Sequence, residues 1–215
     1  MKARGNRCGH DRHRPRLRLA RPVPATLPLV FRTAMRAAEG ILTSPARFPE
    51  LHGFGQLVWT TRGRRRRTER LEAIVLLAKV LILRCDRVTL RVGTPRADGG
   101  CSGISEADLV CWTGLRVRRL ERAMRDFRDA GYGSSHKKAR QVAPGRWKGY
   151  PSVRQLSMLF FARCGVLEWL REERQRASEA QRSGRLAPVI DIRARRDLRR
   201  VTRAQALAAK RTRLH

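Results

Sequence analysis

The sequence predicts a mainly α-helical fold with a small β component, and three observations carry that reading. Apolar residues make up 41% of the 215, enough to build a core. They recur at helical spacing in the stretches 68–84, 105–130 and 151–180. Strand-like alternation is confined to short runs bounded by Gly and Pro, at 86–92 and within 132–150.

Charge narrows the class of partner. Lys and Arg number 49 against 18 Asp and Glu, a formal charge of +31. An excess of that size repels itself in a compact fold unless a polyanion neutralises it, so nucleic acid is the default partner. Only six of the cations are lysines, leaving 43 arginines. Two sources fit that bias: guanidinium forks suit phosphate and guanine, and a GC-rich genome also drifts towards Arg codons. A membrane partner is not expected. The longest apolar stretch, Ala73 to Leu83, contains Lys79 and falls short of the roughly 20 residues a span needs. Arg18, Arg21, Pro22, Pro24 and Pro28 interrupt any signal-peptide core. The expected compartment is the cytoplasm.

Residues 1–30 are rich in Arg and Pro and read as a basic, flexible arm. Within it Cys8, His10, Asp11 and His13 cluster, but a metal site needs four well-placed ligands and a fourth strong one is lacking. No metal or cofactor is expected. The five cysteines are widely spaced without a Cys-x-x-Cys pair, which reads as reduced, mostly buried thiols. Residues 31–85 form a helical N-terminal region, with a degenerate winged domain as the alternative. Pro45, Pro49, Gly53 and Gly55 cut its first half into short elements. The run Arg64, Arg65, Arg66 and Arg67 precedes a largely buried helix from Thr68 to about Arg84. Four cations at a helix N-terminus oppose the macrodipole, so phosphate contact is one explanation and a solvated charge run the other.

Residues 86–150 carry the motif. Asp86 to Val92 alternates like a strand. Ser105 with Asp108 three residues on is a capping box for a helix running to about Trp112. Thr113-Gly114 then supplies a tight turn. A second helix, from about Arg116 to Ala130, carries Leu120, Ala123, Met124 and Phe127 as one apolar stripe. At 100° per residue, Arg118, Arg122 and Arg125 fall within about 20–40° of the opposite direction. One face packs and the other is an arginine comb, the geometry of a helix-turn-helix with its second helix in the major groove. The bland alternative is a solvated face laced by the i,i+4 pairs Glu121–Arg125 and Arg122–Asp126. The following segment to Tyr150, with a Pro144-Gly145 turn, fits a β-hairpin wing. The fold so described is a winged helix-turn-helix with flanking helices and disordered basic termini. Residues 151–180 are read as packing or dimerisation helices starting at Pro151-Ser152, with Gly165 as a break. Residues 181–215 are read as a basic tail.

Base-edge candidates are therefore Arg116, Arg118, Arg119, Arg122 and Arg125. Phosphate candidates are Arg64, Arg65, Arg66, Arg67, Thr113, Lys137, Lys138, Arg140, Arg146 and Lys148. Catalysis is not expected: a phosphate-cradling Gly-x-x-x-x-Gly-Lys-Ser/Thr loop, a His-x-His pair beside a Tyr nucleophile, and grouped carboxylates on a core element are all missing from the sequence.

The run ISEADLVCWTGLRVRRLERAMRDFRDAGY resembles the winged-helix segment of RepA-like plasmid replication initiators. The flanks RFPELHGFGQLVWTTRGRRRRTERLEAIVLL and PSVRQLSMLFFARCGVLEWLREER are similar to the same family, so the resemblance spans roughly residues 30–177. It implies a non-enzymatic initiator that binds repeats in double-stranded DNA at a plasmid origin and helps open the duplex. It also implies host helicase-loading and priming proteins as partners, and a homodimer form. A winged-helix transcriptional regulator is the alternative, and a structural RNA-binding protein a further one.

Overall fold

A computed structural model describes residues 10, 11, 14–52, 67–95, 101–143 and 145–183. Its helices are α1 (Leu29–Ala37), α2 (Gly40–Thr43), α3 (Pro49–His52), α4 (Thr68–Leu83), α5 (Glu106–Thr113), α6 (Val117–Asp129), α7 (Met158–Arg163) and α8 (Leu167–Arg182). The strands are β1 (Arg91–Pro95), β2 (Cys101–Gly103), β3 (Gly133–Ala143) and β4 (Arg146–Leu156). The protein is mainly α with a small β part.

Every position of α4 from Leu71 to Ile82 is buried. A helix apolar on all sides has to be wrapped on all sides, and α1, α2, α5 and α6 all pack against it. Below it, Phe31, Phe127, Tyr132, Phe160 and Phe161 form a continuous run of ring contacts with centroids 5.2–6.2 Å apart. Those rings join α1, α6, β3's entry and α7 into one core. The strands form one antiparallel sheet in the order β2-β1-β4-β3. The long hairpin pairs Gly133 with Leu156, His136 with Val153 and Arg140 with Lys148, with register irregularities after His136 and Gln141.

Three sequence readings need correction. Asp86 to Leu90 is a turn and the strand begins only at Arg91. Asp86 Oδ2 accepts the Thr89 N–H at 2.8 Å and its hydroxyl at 2.6 Å, a local turn that competes with extension. Leu90 closes it with φ 57°, a conformation costly for a residue with a Cβ, held because its side chain is 3% exposed in the core. Second, residues 151–156 continue β4 instead of starting a helix. The helix start is Ser157, whose hydroxyl accepts from the Phe160 N–H. Third, the arm is docked from His10 onward wherever it is described, as set out below.

Tyr132 Oη donates to Glu50 Oε2 at 2.6 Å, and Arg163 Nε donates to Glu50 Oε1 at 3.0 Å. Burial works against the Glu50 carboxylate, but these donors outweigh it and hold its pKa below the ordinary 4.5. A carboxylate held low in the folded state contributes stability that is present above the unfolded value and lost as pH falls through the folded one. Urea denaturation is therefore expected to show stability dropping below about pH 4.5, with part of that slope missing in Glu50→Gln. An identical slope in the variant would assign the acid sensitivity elsewhere.

Candidate nucleic-acid interface

The turn between α5 and α6 is built from local chemistry. Asp108 N–H donates to Ser105 Oγ at 3.1 Å, and Asp108 Oδ2 accepts from the Ser105 backbone at 3.3 Å, so the capping box expected from the sequence is formed. Gly114 ends α5 with φ 66° and donates its N–H to Val110 at 2.7 Å, a left-handed position that favours glycine. Thr113 was a phosphate candidate, and this is corrected. It is fully buried. Its hydroxyl donates to the Leu109 carbonyl at 2.7 Å and accepts the Leu115 N–H at 3.2 Å, so it holds the turn and faces no ligand.

Helix α6 buries Leu120, Ala123 and Phe127 against α4 and the aromatic core. Arg116, Arg118, Arg122 and Arg125 are exposed and form no ion pair with any described residue. The acidic groups expected to tie them up do not. Asp126 lies 2% exposed and takes both forks of Arg70 on α4, with Arg70 Nη2 at 2.6 Å from Oδ1. Glu121 is exposed and makes no ion pair either. Arg119 is the exception among the base-edge candidates. It turns away from the exposed face, donating to the Glu69 carbonyl and to Glu72 Oε1 at 3.1 Å each. At 100° per residue Arg119 falls on the flank facing α4, where Glu69 and Glu72 outbid solvent for it.

Of the remaining phosphate candidates, Arg67 is exposed at the N-cap of α4 and Arg146 is exposed at the start of β4. Arg64, Arg65 and Arg66 lie outside the described residues. Lys137, Lys138, Arg140 and Lys148 occupy strand positions of the β3–β4 hairpin, and their side chains are not among those described.

The residues that sequence reasoning missed lie in the arm. Pro15, Leu17 and Leu19 are half-buried while Arg14, Arg16 and Arg18 between them are exposed, an extended strap of period two. Its backbone is pinned at both ends. Glu72 Oε2 accepts the Arg16 N–H at 2.9 Å and lies 2.8 Å from His10 Nδ1. Further on, Ala20 N–H donates to the Trp112 carbonyl at 2.9 Å and Lys79 Nζ to the Leu17 carbonyl at 2.6 Å. The Arg16 guanidinium donates to the Thr113 carbonyl at 3.4 Å. Arg21 and Arg84 sit over the Trp112 ring at 5.4 and 5.8 Å. The strap thus brings Arg16 and Arg21 alongside the end of α5 and the turn that precedes α6. The alternation in RPRLRLA was the available signal, and the density of Arg and Pro around it masked it.

Exposed guanidiniums on one helix face can grip phosphates or pair bidentately with guanine edges. Among the described residues no group of His, Cys, Asp and Glu could hold a metal ion, and no helix is long and apolar enough to cross a membrane. No family model, curated protein or solved structure matches the chain.

Arg119 and Arg118 are neighbours in sequence with opposite surroundings. Arg119→Ala is expected to lower unfolding free energy by about 1–3 kcal/mol, because it strips donors from buried Glu72. Arg118→Ala should leave stability within about 0.5 kcal/mol, as for other exposed positions. Chemical denaturation of both variants checks this, and equal losses would contradict the assignment of Arg119 to the core.

Proposed function

We propose that this chain is a non-enzymatic, sequence-specific binder of double-stranded DNA, with α5–turn–α6 as its helix-turn-helix, α6 in the major groove and the β3–β4 hairpin as the wing. The observation that carries the reading is the sorting of charge on α6. Of its three acidic residues Asp126 is buried on Arg70, and Arg118, Arg122 and Arg125 are exposed together on the face away from the core, where with Arg116 they outnumber the exposed Glu121 and Asp129. A helix meant only to be solvated gains from pairing such groups along its own surface. Leaving them unpaired costs electrostatic repulsion, which a duplex relieves by counterion release and base contacts.

The hairpin supports the same reading. It starts two residues after the Gly131 turn that ends α6, and its sequence carries Lys137, Lys138, Arg140, Arg146 and Lys148, the residue types a wing uses on flanking phosphates. The strap adds Arg16 and Arg21 on the side of the α5–α6 turn. The biological role we propose is that of a plasmid replication initiator acting on origin repeats, as the sequence resemblance implies, with the host's helicase-loading and priming proteins downstream. Rescue of a plasmid lacking its replicon separates this role from that of a transcriptional regulator, which shares the groove chemistry.

Duplexes selected from a randomised library provide the binding test. Arg122→Ala is expected to weaken binding to the selected site by about 1–3 kcal/mol if its guanidinium pairs with guanine. Binding to unselected duplex should fall far less, through the salt-dependent term alone. Equal losses on both would overturn base readout at Arg122.

A further inference from the structure

A cleft of about 470 Å³ lies between α6 and the sheet, and of its lining the helix-turn-helix reading uses Arg125 alone. Its floor is apolar, with Leu77 and Leu81 of α4, Val92 of β1 and Leu156 of β4. Its walls are charged with both signs: Glu106 at the start of α5, Glu121, Arg125 and Arg128 on α6, and Arg154 on β4. The size falls within the range of about 300–1,000 Å³ typical of small-molecule sites. A cleft of mixed charge over an apolar floor suits a ligand with a flat face that packs on apolar side chains, donors on one edge of that face and an anion at the far end.

The polar groups say which end goes where. Arg154 is largely withdrawn from solvent; burial lowers its pKa while Glu106 opposes that, and its Nη1 already donates to the Ile104 carbonyl at 2.7 Å. Glu106 is the group left wanting. Its Oε1 is buried and accepts no hydrogen bond from any described residue, an arrangement that buried acceptors rarely tolerate. Glu121 across the cleft makes no ion pair, and Arg125 and Arg128 on the same wall are exposed with none either. Glu106 therefore asks for N–H donors, and the exposed Arg125 and Arg128 for an anion.

We propose that this cleft binds a guanine nucleotide, base inward against Glu106 and phosphate outward against Arg125 and Arg128. The choice of base follows from the shape of a carboxylate, which offers two acceptor oxygens side by side. Guanine presents two adjacent donors, N1–H and the N2 amino group. Adenine and cytosine each set one amino donor beside an acceptor nitrogen that repels the second oxygen, and uracil and thymine set one donor between two carbonyls. A guanine nucleotide reaches such a cleft either free in solution or as an unpaired residue of nucleic acid, drawn out of the stack. The chemistry is shared, and the experiment separates the two sources.

Calorimetric titration of the full chain with GMP, without nucleic acid, tests the site independently of duplex binding. GMP should bind at least about tenfold more tightly than AMP or CMP, a difference of about 1.4 kcal/mol. Glu106→Gln should abolish that preference, with thermal melting confirming that the variant folds. Arg128→Ala, at an exposed position, should reduce GMP binding towards that of guanosine while leaving guanosine unchanged. Displacement of GMP by a duplex carrying one unpaired guanine, but not by the fully paired duplex, identifies the nucleic-acid source. Retention of GMP against both identifies the free nucleotide. AMP binding equal to GMP, no binding of GMP at about 1 mM, or unaltered preference in Glu106→Gln would each overturn the proposal. Loss of duplex binding alone would bear only on the helix-turn-helix reading.

Discussion

Everything in this structure is arranged around a helix that has no side to show to water. From Leu71 to Ile82, α4 is buried on its whole circumference, including two residues that carry charge, Glu72 and Lys79. A buried charge is tolerated only when paired and hydrogen-bonded. Glu72 meets that demand with His10, the Arg16 backbone and Arg119, and Lys79 with Glu39 and the Leu17 carbonyl. These partners come from the strap, from the segment after α1 and from α6. The two polar interruptions of the central helix therefore recruit the elements that cover it, and hydrophobic burial does the rest.

The same economy shapes the face turned outward. The chain has few acidic residues, and three of those near α6 lie between helices. Asp126 joins α6 to α4 through Arg70, while Glu69 and Glu72 hold Arg119. Arg116, Arg118, Arg122 and Arg125 project beside the exposed Glu121 and Asp129 and form no ion pair with any described residue. Pinning the helix and charging its surface are linked at one residue: Asp126, four positions after Arg122, is held by Arg70 on α4 instead.

The sheet contributes by distance as well as by pairing. The end of β4 pairs with β1 and with the first residues of β3, while α6 leans on α4. The gap between them is closed at its floor by leucine and valine and left open between charged walls. A cleft of that kind is left between two packings that are each satisfied by their own partners.

The sequence alone determined the mainly α composition with its small β part, the largely buried helix α4, the capping box at Ser105, the glycine turn and the span of α6 to within a residue at each end. All of these rest on interactions within about four positions along the chain, and such interactions are written in the order of the residues. Residues 86–90 and 151–156 misled because alternation and a Pro-Ser start signal are short-range cues too. A three-residue Asp86 turn overrode the first, and pairing with β1 and β3 overrode the second. Only the tertiary structure decided which arginines face outward. Arg119 and Arg118 are adjacent and chemically identical, yet Glu69 and Glu72, some 50 residues earlier, take one and leave the other. The docking of the strap, the capture of Asp126 by Arg70 and the gathering of Glu106, Arg128 and Arg154 around one cleft have the same origin. A charge chooses its partner through space, and that choice is made only once α4 has drawn the rest of the chain around it.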